Sequence, residues 1–169
     1  MSRALPVSVC LIAFGSGSAW AAPPQLYDKA ISVSFSVAVN ARAEDGSSAQ
    51  PRQVARTIYV SSKGRLFTRL SRQAGRNSQT LERGPETTAG AFRFQGNSLI
   101  GVLKLPSGAS QLTITFDPSY STCSASVAYG RESGRAMKFT GLNGKTYTME
   151  GKPSVSTVSC SIRQGNPFA

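Results

Sequence analysis

Apolar and polar residues alternate along much of this chain. In AISVSFSVAV, Ala30–Val39, every odd position is apolar and serine fills three of the even ones. Such alternation is typical of a strand with one buried and one exposed face. The polar segment Asn40 to Gln53 predicts a loop, and the alternation then resumes at Val54, Arg56, Ile58 and Val60.

Further β-rich runs follow, separated by turn signals about every ten residues: AFRFQ, SLIGVLKL, SQLTITF, TCSASVAYG, AMKFTG, KTYTME and SVSTVSCSI. No segment of comparable length has a convincing helical pattern. The chain is therefore predicted to be all-β and antiparallel with nine or ten short strands. A small barrel-like fold and a two-sheet sandwich both fit, and the direct succession of hairpins favours the former. The longest irregular segment is Ser71 to Gly90, which is polar and which we expect to be mobile or functional.

Two short turns stand out between the predicted strands. The sequence SSKG places Gly64 where a hairpin needs a positive φ, and Asn143–Gly144 is typical of a two-residue turn with positive φ at both positions. The second turn belongs to GLNGKTYT, which contains Gly-Lys-Thr as phosphate-binding loops do. The first glycine of that motif is replaced by Phe139 and no helix is predicted after it, so we interpret the segment as a turn.

The first 21 residues are predicted to be a signal peptide. A positive start is followed by an apolar segment, and Ala19-Trp20-Ala21 has the small-x-small pattern of a cleavage site. Cleavage after Ala21 leaves a single β-domain, residues 22–169, which we expect in the periplasm or secreted. The formal charge of the whole chain is +11, and the predicted leader carries only Arg3, so the remaining chain is strongly basic.

The exported chain keeps two cysteines, Cys123 and Cys160. An even number of cysteines in an exported protein favours a disulfide. Two free thiols or a redox pair fit less well, because the spacing is not Cys-x-x-Cys. Alternation places both cysteines on inward faces, Cys123 with Ala125, Val127 and Tyr129, and Cys160 with Val158 and Ile162, so that the bond would tie the last strand to the middle of the sheet.

The chain contains no histidine. That excludes Ser-His-Asp and Cys-His nucleophile systems and His-ligated zinc. The eight acids lie mostly in turns and loops, which is a poor setting for a carboxylate pair of the glycosidase kind. Asp117 precedes Pro118 and is interpreted as a turn residue. We therefore predict a protein that is not an enzyme and needs no cofactor or metal.

Positive charge is concentrated in YVSSKGRLFTRLSRQAGR, Tyr59–Arg76, which has no acid. As a helix it would present a basic stripe to a membrane, and as a strand it would expose charges on the side opposite Leu66, Thr68 and Leu70. We favour the strand. The predicted anion-binding residues are Lys63, Arg65, Arg69, Arg72 and Arg76. Lipid headgroups or acidic polysaccharide are the expected partners, and nucleic acid is not expected because few aromatic residues accompany the cations.

Four segments resemble a type of small exported bacterial β-domain protein of unassigned function: YDKAISVSFSV, YVSSKGRLFTRL, LTITFDPSYSTCSASVAYG and VSCSIRQGNPF. They span most of the chain after the predicted leader. The resemblance implies a secreted β-domain with paired cysteines, and it implies no catalytic residues.

Two functional hypotheses follow. The first is a non-enzymatic periplasmic or secreted β-domain that binds an anionic component of the cell envelope through its basic face. The alternative is a small β-barrel that holds a small apolar ligand in its interior. Its lining would come from the inward positions Phe35, Ile58, Phe94, Ile114 and Tyr129, which would also serve as ordinary core.

Overall fold

A computed structural model describes residues 21–88, 91–105, 108–129 and 137–169. Within these ranges ten strands form two antiparallel sheets, which confirms the predicted fold class. The strands are β1 Lys29–Ala43, β2 Arg52–Val60, β3 Leu66–Ala74, β4 Asn77–Arg83, β5 Phe92–Gln95, β6 Ser98–Leu105, β7 Gly108–Phe116, β8 Cys123–Tyr129, β9 Met137–Thr140 and β10 Thr146–Gln164. A 3₁₀ turn, Pro24–Leu26, and one short helix, α1 Pro85–Thr88, complete the order. The predicted leader, residues 1–21, lies outside the described residues except for Ala21.

The larger sheet has six strands in the order β4-β3-β2-β1-β10-β9 and curls into a half-barrel. The smaller sheet has four strands in the order β5-β6-β7-β8. Apolar side chains from both sheets share one core, so the sheets pack face to face. The molecule thus combines features of both predicted architectures. No helix in the part of the chain that the structure describes is long and apolar enough to cross a membrane.

Two strands are longer than their sequence pattern predicted. The first, β1, continues through Asn40 to Ala43, where Ala41 is buried, so the predicted loop start at Asn40 is wrong. The last, β10, joins two predicted strands across Gly151-Lys152-Pro153. The pairing of β1 with β10 is irregular at Ser34/Ser36 and Ala38/Asn40, and β10 absorbs its extra residues near Gly151 and Thr157, both at positive φ.

The prediction of an irregular segment from Ser71 to Gly90 is also wrong. In its place β3 and β4 form a hairpin, followed by α1, while residues 89–90 lie outside the described part. Every residue of β4 is exposed. A strand without a buried face has no apolar alternation, so its sequence resembles that of a loop. It is held by backbone pairing and by contacts between side chains, including a 3.2 Å hydrogen bond between the Ser71 and Thr80 hydroxyl groups.

Two apolar clusters form the interior. The main core lies between the sheets and includes seven large side chains with almost no solvent exposure: Leu26, Ile31, Ile58, Leu99, Leu112, Ile114 and Phe116. A smaller cluster at the far end of β1 is formed by Ala41, Phe139, Tyr147 and Met149. The odd positions of β1 contribute to both clusters, so a single alternating face runs through the whole interior.

The predicted disulfide is present between Cys123 and Cys160, whose Cα atoms are 5.6 Å apart. It joins β8, at the edge of the smaller sheet, to β10 in the larger one. The bond therefore links two sheets, and the expectation that it would reach the middle of a single sheet is wrong. Both cysteines pack against the main core, whereas Val158 is 38% exposed because β10 changes its alternation near Thr157.

The two predicted glycine turns differ in outcome. Gly64 has φ +70°, as predicted, and the Tyr27 ring lies so near that an added Cβ would sit 3.1 Å from the Tyr27 hydroxyl oxygen. In the other turn Gly144 has φ +80° but Asn143 has no positive φ, so the two-residue type is wrong. The Gly141 N–H instead donates to the Lys145 carbonyl and closes a longer turn.

Candidate ligand-binding cavity

A cavity of about 490 Å³ lies on the inner face of the six-stranded sheet. Along β1, its wall is formed by Phe35, Val37 and Val39, of which Phe35 and Val37 also belong to the main core. At the other end the wall includes Phe139 and Met149 of the smaller cluster. The other described lining residues are Arg52, Val54, Arg56, Leu70, Arg72, Ser78, Gln79, Ser110, Tyr129, Phe139, Thr140, Gly141, Leu142, Gly144, Met149 and Pro153. Its size is typical of pockets for small ligands.

The cavity forms where the smaller sheet contributes little. Of the described lining residues, the four-stranded sheet provides only Ser110 and Tyr129. The inner face of the half-barrel continues beyond that sheet, through the β9–β10 turn to Met149 and Pro153. Among the described residues, little of the smaller sheet lies opposite this part of the large sheet, and the cavity occupies the space beside it.

Three arginine side chains line the cavity: Arg52 and Arg56 from β2 and Arg72 from β3. Alternation along β2 puts both of its arginines on the same face as Ile58, a core residue. Across the β2–β3 pair, Arg56 lies opposite Leu70 and Arg72 opposite Val54. The three cations therefore share the inner face with apolar neighbours.

Aromatic rings contact two of these guanidinium groups. The Arg56 Cζ atom lies 5.4 Å from the centroid of the Phe92 ring, and that of Arg52 lies 4.9 Å from the Phe139 ring. Arg56 is only 7% exposed. Among the described side chains, no carboxylate forms an ion pair with Arg52, Arg56 or Arg72, and none of the three donates a side-chain hydrogen bond.

Burial shifts the pKa values of several side chains that line the cavity. Burial lowers the pKa of Arg56 to about 10, and the charges of Arg72 and Arg83 contribute. Burial also lowers the pKa of Arg52 and of Arg72, and the charge of Arg52 adds to the effect on Arg72. Arginine keeps its charge at neutral pH in proteins, so all three side chains are cations. Burial raises the pKa of Tyr129, although the charges of Arg52 and Arg72 oppose that shift.

The five cations predicted to bind anions occupy four places: the turns before and after β3, and the two faces of that strand. Lys63 and Arg65 are exposed in the turn before β3, and Arg76 is exposed in the turn after it. These turns are separated by a nine-residue strand, about 30 Å long. Arg69 lies on the outer face, where its Nε donates to Glu82 at 2.7 Å and its Cζ lies 4.7 Å from the Phe168 ring centroid. Arg72 faces the cavity.

The predicted apolar lining is also divided. Phe35 and Tyr129 line the cavity, and Phe35 also belongs to the main core. Ile58, Phe94 and Ile114 belong to the main core and are not among the described lining residues. Sequence reasoning missed the role of Arg52 and Arg56. The sequence did contain a signal for them. Both arginines stand at even positions of an alternating strand, as do Val54 and Ile58, whose side chains point inward.

Asp117 is a turn residue, as interpreted from the sequence. Its carboxylate accepts backbone N–H bonds from Ser119, Ser121 and Thr122 at 3.0, 2.7 and 2.6 Å, and also bonds the Ser119 hydroxyl. Hydrogen bonds to the Ser119 hydroxyl and to these N–H groups lower the pKa of Asp117 well below its usual range. No group of three or more metal-ligating residues occurs in the ranges that the structure covers.

No protein-family model, curated protein or solved structure matches this chain. The resemblance to small exported bacterial proteins therefore stays a prediction.

Proposed function

We propose that this protein is a non-enzymatic binding protein of the periplasm or the secreted fraction, and that it holds one small, largely apolar molecule inside its half-barrel. The observation that carries the proposal is the 490 Å³ cavity between two filled apolar clusters. A water molecule takes up roughly 30 Å³ in the liquid, so the cavity has room for about sixteen atoms of similar size. That is the size of a medium-length acyl chain with a small headgroup.

The walls support an apolar ligand. Phe35, Val37, Val39, Leu70 and Met149 all present apolar groups to the cavity. Apolar surface that loses its contact with water contributes roughly 25 cal/mol per Å² to binding. Wall atoms that face empty space also lack the dispersion contacts of a packed core. A bound apolar chain would supply those contacts.

The test uses dodecanol as an uncharged probe and a matched pair of variants. Val54 lines the cavity, whereas its neighbour Ala55 points to the outer face and is exposed. Native mass spectrometry should show dodecanol retained by the wild type and by Ala55→Trp, and lost in Val54→Trp. Circular dichroism and thermal unfolding establish that both variants are folded. The proposal is overturned if the folded wild type retains no dodecanol or if Val54→Trp retains it equally.

A second proposal concerns the outer surface. Lys63 and Arg65 are exposed in one turn, and this local pair supports weak association with lipid headgroups or acidic polysaccharide. Such contact should weaken as salt rises. Sedimentation with anionic vesicles over a range of ionic strength tests it, with Lys63→Gln/Arg65→Gln as the variant. Equal sedimentation of variant and wild type at low salt would dispose of the proposal.

A further inference from the structure

We propose that the ligand of the cavity is an amphipathic anion, whose single carboxylate or phosphate-monoester headgroup is bound on the side of the cavity that carries Arg52, Arg56 and Arg72. The inference rests on the proposed function and adds the chemical class of the ligand. The two headgroups share the chemistry of an oxyanion on an apolar chain, and the experiment below separates them.

The first step is the uncompensated charge of the cavity. Three guanidinium groups line the same cavity, with Arg56 buried and Arg52 and Arg72 half-buried. Arg72 lies opposite Val54, the residue that stands between Arg52 and Arg56 on the inner face of β2. The charge of Arg72 lowers the pKa of Arg56, and the charge of Arg52 lowers the pKa of Arg72. A buried charge without an opposite charge is unfavourable, and neighbouring like charges increase that cost. No carboxylate among the described residues offsets it. An anion entering from outside would.

The second step is the hydrogen-bonding capacity that remains. The guanidinium carbons of Arg56 and Arg52 lie over the rings of Phe92 and Phe139, 5.4 and 4.9 Å from the ring centroids. A guanidinium has five N–H donors, and none of these arginines donates a side-chain hydrogen bond to a described residue. No side-chain nitrogen of the described residues is both shielded from solvent and without a hydrogen-bond partner. The unbonded N–H donors of Arg56 are therefore in contact with solvent, and Arg56 lines the cavity. Planar donor pairs suit carboxylate and phosphate oxygens.

The third step is the distribution of the lining. All three arginines come from β2 and β3, whereas β1 and β10 contribute Phe35, Val37, Val39 and Met149. One side of the cavity therefore carries all three cations, interleaved with Val54 and Leu70, and the β1 and β10 side is apolar. A molecule with one anionic end and one apolar chain satisfies both sides at once, which a simple hydrocarbon or a small inorganic anion does not.

The experiment compares four probes of equal chain length by isothermal titration calorimetry: dodecanoate, dodecyl phosphate, dodecanol and dodecyltrimethylammonium. We expect at least one anion to bind about tenfold or more tightly than dodecanol, because buried charge pairs add to the apolar contact. The cationic probe should bind weakest. The tighter of the two anions identifies the headgroup.

Arg56→Met is the decisive variant, with Arg93→Met as its control because Arg93 is an exposed arginine on β5. Arg56→Met should lower the affinity for the preferred anion about tenfold or more and change that for dodecanol less than about threefold. It should also raise the melting temperature of the unliganded protein, since it removes an unpaired buried charge. Arg93→Met should change none of these.

The outcomes separate the two proposals. If no probe binds the wild type, the proposed function fails and this inference fails with it. If dodecanol binds as tightly as both anions, the cavity is an apolar site and only this inference is overturned. If Arg56→Met lowers the melting temperature and weakens all probes equally, Arg56 is a structural residue stacked on Phe92, and the inference is likewise overturned.

Discussion

The two ends of the interior are built from the same strands and differ in what lies opposite them. At one end Ile31 and Val33 of β1 meet side chains of the smaller sheet and are almost fully buried. At the other end Val37, which is still buried, and the half-buried Val39 line a cavity with arginines in its wall. The alternation along β1 is the same at both ends. A strand's pattern therefore reports which face is turned inward, and the second sheet decides whether that face is packed or open.

Charge follows the same division. The filled end is closed by the disulfide and by the Asp117 turn, where Tyr120 packs on Phe116 and its carbonyl accepts a hydrogen bond from Lys29. The open end holds three cations, of which Arg56 is buried and Arg52 and Arg72 are half-buried. We expect the filled end to contribute more to stability and the open end to bind the ligand. Substitutions at the two ends should separate these properties.

The largest effect is expected from removing the disulfide at the filled end. Cys123→Ser with Cys160→Ser should lower the free energy of unfolding by roughly 4 kcal/mol, because the bond closes a loop of about 40 residues in the unfolded chain. Urea unfolding measures the change, and wild-type protein in reductant should match the variant. Dodecanol binding should persist while the variant is folded. A loss below about 1 kcal/mol would show that the filled end is stable without the link between sheets.

A matched pair of leucines compares packing at the two ends directly. Leu112 is fully buried in the main core, whereas Leu70 lines the cavity and is partly buried. Leu112→Ala should cost about 3 kcal/mol of unfolding free energy, because it leaves a new void in a packed region. Leu70→Ala should cost about 1 kcal/mol, since its site is already open on one side.

Ligand binding should show the reverse order for the same pair. Leu70→Ala removes part of the cavity wall and should change dodecanol affinity, which Leu112→Ala should leave unchanged. Denaturant unfolding and calorimetry on both variants provide the two measurements. Equal stability losses would mean that the space beside Leu70 is packed as tightly as the core, which would contradict the description of an open end.

Much of the fold was accessible from alternation and turn chemistry. The strand around Val33, the turn at Gly64 and the disulfide all followed from local patterns that the structure confirms. The β4 strand was not accessible, because its side chains are all exposed and it is held by pairing with β3. The length of β10 was hidden by Gly151 and Pro153, which read as a turn but lie in an irregular part of a continuous strand.

The cavity was only half accessible. Phe35 and Tyr129 were placed inward correctly, but alternation does not tell a cavity wall from a core. The arginines were the more informative residues. The side chain of Arg56 points inward, as that of Ile58 does. A cation at an inward position of a strand departs from the apolar pattern, and such departures often mark functional sites. The dense basic run around Arg69 is the more conspicuous charge pattern in the sequence, although most of its cations lie outside the cavity.

The smallest effect expected is a pH dependence carried by one carboxylate at each end. Asp117 belongs to the filled end, and Asp45, at the open end, pairs with Lys145 at 2.5 Å. Hydrogen bonds to Ser119 and backbone N–H groups lower the pKa of Asp117, and hydrogen bonds to Lys145 and Ser47 lower that of Asp45. A carboxyl group with a lowered pKa in the folded state stabilises the fold above its ordinary value of 3.8. That contribution disappears as the pH falls below 3.8 through the folded pKa.

Wild-type stability should therefore decline in acid, and Asp117→Ala and Asp45→Ala should each make the decline shallower. Each variant should be less stable than wild type at neutral pH, and the difference should shrink as the pH falls. Asp45 is exposed and Asp117 is partly exposed, so solvent screening keeps the effects small. Urea unfolding at a series of pH values measures them, with Glu44→Ala as a control at an exposed neighbour of Asp45. Ligand binding distinguishes the two ends. Asp45→Ala loosens a turn that contacts the β9–β10 turn of the cavity wall, so it should alter the ligand affinity. Asp117→Ala should leave the ligand affinity unchanged. The reverse result would place the binding site at the end of the molecule that we describe as filled.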